Sequence, residues 1–308
     1  MNVDVYDRIR AGRAGFFEQK RGLIEVRGKE AVQFLDGMIT NDMKTLADAE
    51  QMLAAFPNAQ GRLVAVVRVQ RRGDSYLVET EEATREKLYQ NLFRFTFAGE
   101  FFVENVSEQF AYFEIFGPVE DVYHSEISQM VPGSFAFEAR HGASYFVPVD
   151  KADGFRDFLT NENRCLAVDE ELYEILRIES GIPKYGADMD ETTVVPELGL
   201  DGMISYNKGC YVGQEIIARI HFRGHVAKQL TGLVSSEPGA IATGLMAGAE
   251  LVTEDGKNAG KVTSTTFSPK LGRSAALAFV RHEFLAVGTE LFAGGSAGTV
   301  TELPFIST

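Results

Sequence analysis

Short apolar runs punctuated by turn residues dominate the first hundred positions. Arg21–Arg27 (RGLIEVR) has the composition of a strand, and after Gly28 the spacing changes, with Ala31, Phe34, Leu35 and Met38 recurring on one helical face. After a turn over Asp42–Asp48, strands are expected at Met52–Phe56, Leu63–Val69 and Tyr76–Thr80, because Pro57–Gly61 and Arg72–Asp74 supply turn chemistry between them. A helix over Glu81–Phe95 and a strand near Phe101 complete this round. A second round predicts a strand at Ala111–Phe116, a helix after Pro118, a strand at Ser144–Val149, and helices at Ala152–Thr160 and Asp169–Glu179. Such interleaving makes the class α+β.

From Gly181 to Gly209 the periodicity dissolves around Pro183, Pro196 and several glycines. Ile182, Val194, Val195, Leu198, Leu200 and Ile204 keep the stretch apolar, so a packed functional segment is expected there. Beyond Gly224 come short β-rich runs at Leu230–Val234, Glu250–Thr253, Lys261–Phe267, Ala275–Val280, Thr289–Phe292 and Gly298–Leu303. Each is bounded by turn residues, as in a small antiparallel barrel. The boundary near Val226 divides a body over 1–225 from a barrel over 226–308.

Composition narrows the function classes. The chain has 308 residues, 45% of them hydrophobic and 24% charged, with no apolar run long enough to span a bilayer. The amino terminus lacks the features of a secretory signal, so a cytoplasmic location without membrane association is expected. A net charge of -14 argues against direct nucleic-acid binding by the molecule as a whole. One stretch departs from this, since Lys208, Arg219, Arg223 and Lys228 stand against Glu215 alone, a local net of +3. An ordinary solvated surface is the plain reading of such an island.

That island contains Lys208-Gly209-Cys210-Tyr211-Val212-Gly213-Gln214-Glu215, followed by helix formers. Cys210 is therefore expected on a glycine-flanked turn just before a helix, where free amides together with Lys208 and Arg219 favour a reactive thiolate. A buried apolar thiol is the commoner fate of a free cysteine, and Cys165 is assigned to it. The two cysteines cannot supply the four thiolates of a typical iron–sulfur cluster, and the five histidines lack zinc-site spacing, so no intrinsic metal is expected.

A second feature is the helix ending at Glu179. Leu172, Ile175 and Leu176 form its apolar stripe and Glu179 continues it, which turns a carboxylate inward. It needs a cation, a salt bridge or a ligand there. Glu197, in Pro196–Leu200, is a second carboxylate suited to an amino-pyrimidine edge, and Tyr173 offers a ring for stacking or for the core.

Together these motifs resemble the YgfZ family, folate-binding relatives of the glycine-cleavage T-protein. The likeness rests on Lys208–Glu215, Phe222-Arg223-Gly224, Arg177–Pro183, Pro196–Leu200, Phe34-Leu35 and Thr40-Asn41-Asp42, and so spans most of the chain. It implies a T-protein-like folate-binding body with a ferredoxin-like portion, closed by the carboxy-terminal barrel. Tetrahydrofolate or a derivative is the implied ligand, with Tyr173, Glu179 and Glu197 at its site. Cys210 is the implied essential residue, supported by Lys208, Gly209, Tyr211, Gly213, Gln214, Glu215, Arg219 and Arg223.

The implied role is iron–sulfur cluster assembly or repair, including enzymes that modify tRNA, with iron–sulfur client or assembly proteins as partners. One departure bears on catalysis. Aminomethyltransferases resemble one another in a Gly-x-Ile-x-Asp-Asp strand, where this chain has Gly61-Arg62-Leu63-Val64-Ala65-Val66. With Ala65 and Val66 at the acidic positions, aminomethyltransferase activity is not expected. The alternatives are a folate-dependent aminomethyltransferase or demethylase in which Cys210 or another group replaces the aspartate, and a thiol-based redox or transfer enzyme that binds something other than folate.

Overall fold

The computed structural model describes residues 2–117, 127, 130–139, 141–161, 165–239 and 242–306. They form two compact units, one of 2–168 with 201–216 and the other of 169–200 with 217–306.

The first unit is built on two five-stranded sheets. One contains β2 (Arg21–Arg27), β3 (Gln51–Pro57), β4 (Leu63–Arg72), β5 (Ser75–Glu81) and β6 (Phe102–Asn105), in the order β3-β4-β5-β2-β6. Along β4 the alternation turns Ala65, Val67 and Val69 into a core with Ala31, Leu35 and Met38 of α2 (Ala31–Met38) and Leu88 and Leu92 of α3 (Glu82–Phe93). The other sheet has the order β10-β1-β7-β9-β8, from β1 (Ala14–Gln19), β7 (Phe110–Phe116), β8 (Phe135–Ala139), β9 (Gly142–Pro148) and β10 (Cys165–Ala167). Phe113, Tyr145 and Val147 from this sheet pack with Phe155 and Leu159 of α4 (Ala152–Thr160), and Cys165 is buried among them.

An apolar layer of Leu23, Leu77, Tyr112, Phe135, Phe137 and Phe146 links the two sheets. A charged cluster gathers beside it around the buried Glu79. Arg21 Nε donates to Glu79 Oε1 at 2.6 Å and Arg68 Nε to Glu79 Oε2 at 2.7 Å. Arg68 also donates to Ser144 Oγ at 3.1 Å and to the Tyr112 hydroxyl at 3.2 Å. Burial pushes Glu79 upward, yet the two guanidiniums outweigh it and hold the carboxyl below its ordinary range.

In the second unit, α5 (Glu170–Glu179) is capped by the Asp169 side chain, which accepts from Leu172 N. The barrel is a closed antiparallel ring in the order β11-β14-β13-β12-β15-β16, from β11 (Lys228–Pro238), β12 (Glu250–Val252), β13 (Asn258–Ser268), β14 (Arg273–Arg281), β15 (Glu290–Ala293) and β16 (Ser296–Thr301). Pairing of β11 with β16 leaves no free edge. The α+β class and the barrel agree with the sequence expectation. The amino-terminal helix α1 (Val3–Arg10), β1, β8 and β10 are additions to it, and the helix expected after Pro118 lies outside the described residues.

Candidate functional site

The segment carrying Cys210 has no helix or strand of its own and is held by side chains and backbone of the first unit. Thr40 is the main anchor. Its N–H donates to Ala55 O and its hydroxyl to Met203 O at 2.7 Å, while its own carbonyl accepts from Ser205 N. Asn41 Nδ2 donates to Leu53 O and Gly202 O, both at 2.8 Å. Further along, Val212 N donates to Gly37 O, and Val212 packs on the core of the first sheet.

Lys208, expected to support the thiolate, is the strongest fastener: its ammonium turns inward, donating to the carbonyls of Asp36 (2.7 Å), Ile39 (3.0 Å) and Asn41 (2.6 Å). These carbonyls lie at and beyond the end of α2, so a cation there satisfies acceptors the helix leaves open. Asp36 Oδ1 lies 3.1 Å from the same ammonium, and the Lys208 side chain is fully enclosed. Burial lowers the Lys208 pKa against the pull of Asp36. Burial works to raise that of Asp36, but Lys208, Met43 N–H and Lys44 hold it below the usual carboxylate value.

Cys210 itself is exposed. It lies four residues before the first helical residue of α6 (Gln214–Arg223), with Tyr211, Val212 and Gly213 between them, so it stands outside the cap. Gly213 makes the turn, with φ at +82° and the Asn58 carbonyl only 2.5 Å from where a Cβ would sit. This contact brings the cysteine segment against the turn that leads into β4. Gly209 has ordinary φ and open space around it apart from Lys44 Nζ, 4.0 Å from its Cβ direction. Tyr211 is buried, its ring 5.2 Å from Lys208 Nζ, and burial pushes its hydroxyl up to about 12. Gln214 Nε2 donates to Gly209 O at 3.4 Å. Glu215, Arg219 and Arg223 are exposed on α6.

The residues assigned to folate lie in the other unit. Glu179 faces inward as its helical stripe predicts; it is fully enclosed, and Ser268 Oγ of β13 donates to its carboxylate. Glu197 accepts from Val194 N at 3.2 Å, bracing a short 3-10 turn over Val195–Leu198. Tyr173 is buried on α5, six positions before Glu179 and therefore on a different face of the helix.

Arg177 is the residue of this region that sequence reasoning passed over. It donates to Ile182 O (3.1 Å), Asp188 Oδ2 (2.9 Å), Glu174 Oε2 (2.8 Å) and Ser264 Oγ (3.0 Å), tying α5 and the following loop to β13. Its only signal was its place in the Arg177–Pro183 motif.

Two further features complete the inventory. In β4, Ala65 is wholly enclosed in the core and Val66 is half-buried. A cleft of about 460 Å³ is lined in part by Lys20, Arg21, Glu82, Arg85, Glu108 and Tyr112. Its Arg85 is already paired with Glu108 at 2.6 Å and Glu82 at 3.1 Å. Among the described residues no three of His, Cys, Asp and Glu gather as a metal site, and no helix is long and apolar enough to cross a membrane.

Residues 9–132 match the family described as the GCVT N-terminal domain, and residues 228–306 match the glycine cleavage T-protein C-terminal barrel domain. The chain is T-protein-like. Among its relatives is an aminomethyltransferase of Caldanaerobacter subterraneus subsp. tengcongensis, to which this T-protein-like chain is 24% identical over 90% of its own length and 80% of the relative's. Its fold is shared with the glycine cleavage system aminomethyltransferase T from Bartonella henselae, with a TM-score of 0.86 at 21% identity, covering 98% of this chain and 89% of that one.

Proposed function

We propose that this chain binds tetrahydrofolate, or a derivative of it, and serves folate-dependent one-carbon transfer as an aminomethyltransferase-like transferase or demethylase. The observation that carries this reading is the T-protein architecture shared along 98% of the chain, together with both T-protein domain matches. A pterin presents an amino group and ring N–H donors, which buried carboxylates such as Glu197 and Glu179 are suited to accept, with Tyr173 on the same unit. Bound folate would supply a nucleophilic nitrogen that takes up the one-carbon unit. The exposed thiol of Cys210, on a segment braced against the turn that precedes β4, is the group whose part in the reaction this reading puts to the test.

A second reading is favoured by the same two observations, the exposed Cys210 and the apolar β4. In it, folate is bound without aminomethyl transfer. Cys210 then acts toward iron–sulfur client or assembly proteins in the cytoplasm, including those of tRNA modification, as the likeness to the YgfZ type implies. The comparisons lend more weight to the transferase reading, because the named relatives are aminomethyltransferases. The deciding assay supplies tetrahydrofolate and a methylamine or aminomethyl-carrier donor and measures methylenetetrahydrofolate. Formation that is lost in Cys210→Ser is expected of the transferase. No product, with an iron–sulfur enzyme defect in cells rescued by wild type and not by Cys210→Ser, assigns the second reading instead.

A further inference from the structure

Asp36 holds two ammonium groups, and they face different ways. Its Oδ1 meets Lys208, which is enclosed and already donates to three carbonyls. Its Oδ2 lies 3.3 Å from Lys44 Nζ, whose side chain is 64% exposed. Asp42, two residues earlier, accepts from the Lys44 backbone N–H at 3.0 Å. The ammonium of Lys44 therefore remains at the surface, fixed at one side by Asp36. It lies 4.0 Å from the Cβ direction of Gly209, the residue preceding the exposed Cys210.

From this geometry we infer that Lys44 is a specificity-determining residue, which selects reaction partners of Cys210 that carry negative charge next to the reacting atom. The inference rests on the reading that Cys210 is the reacting group. A fixed ammonium within several ångströms of an incoming anion attracts it in a way that salt weakens and a neutral partner does not feel. Lys208 cannot serve this purpose, because its donors are spent inside the fold. The fork of Asp36 thus divides the labour: one lysine holds the segment, the other meets what approaches it.

The test compares two disulfide probes of the same chemistry on the full chain carrying Cys165→Ala, the dianionic 5,5′-dithiobis(2-nitrobenzoate) and the neutral 4,4′-dithiodipyridine. In both, the Cys210 thiolate attacks one probe sulfur, the probe S–S bond breaks, and an aryl thiolate leaves with the bonding pair. The ratio of anionic to neutral rate is expected to fall about three- to tenfold in Lys44→Gln and further in Lys44→Glu, and to return in Lys44→Arg. In wild type, raising the salt concentration should compress the ratio. A ratio unmoved by Lys44→Gln and Lys44→Glu, with normal reaction toward the neutral probe, overturns the inference and leaves the role of Cys210 standing. Failure of native protein to react with either probe overturns both.

Discussion

At the scale of single residues, the segment bearing Cys210 depends on one buried charge pair. Replacing Asp36 by Asn keeps the side-chain shape but leaves the enclosed Lys208 ammonium with carbonyls alone, and loss of one partner of a buried pair costs about 3 kcal/mol or more. Because the folded pKa of Asp36 is depressed, its contribution is fully present above the unfolded carboxyl value and is lost as pH falls through the lower folded one. Urea unfolding at pH 7 should show Asp36→Asn destabilised by that amount, and the gap to wild type should narrow only below about pH 4. An unchanged gap at pH 3 and pH 7 would contradict the assignment. The sequence exposed Cys210 as a candidate because glycine and lysine surround it. It could not reveal where Lys208 points, since its acceptors lie 172, 169 and 167 residues away along the chain.

Among the elements, the strands of the first sheet illustrate what a local pattern contains and what it omits. Leu63–Val69 and Tyr76–Thr80 were legible because alternation and turn residues are local properties, and they correspond to β4 and β5. The three-residue β10 was not, since it exists through parallel pairing with β1, and a partner some 150 residues distant leaves no mark on three side chains. Glu79 makes a related point. It pairs across strands with Arg68 and lies beside Arg21, an arrangement invisible until β2, β4 and β5 are in register. Glu79→Gln removes the buried carboxylate that two part-buried guanidiniums share and should cost about 3 kcal/mol in denaturant unfolding. A change under about 1 kcal/mol would mean that the cluster is solvated and does not bind the sheets together.

For the whole molecule, the architecture was more legible than the site. Short runs bounded by Gly, Pro and Asn announced the barrel, and the helix over Asp169–Glu179 announced an inward Glu179, both of which are present. The partner of Glu179 was not legible, because Ser268 is 89 residues away along the chain, whereas Glu197 takes its proton donor from the Val194 amide three residues before it. Both carboxylates can be replaced by amides that keep the side-chain shape and one acceptor oxygen while removing the negative charge. Calorimetric titration of tetrahydrofolate into wild type, Glu179→Gln and Glu197→Gln is the measurement closest to the central claim. Saturable binding to wild type is predicted, weakened by roughly 1–3 kcal/mol in each variant as ligand donors go unpaired. Absence of saturable heat with the wild-type protein would contradict the account.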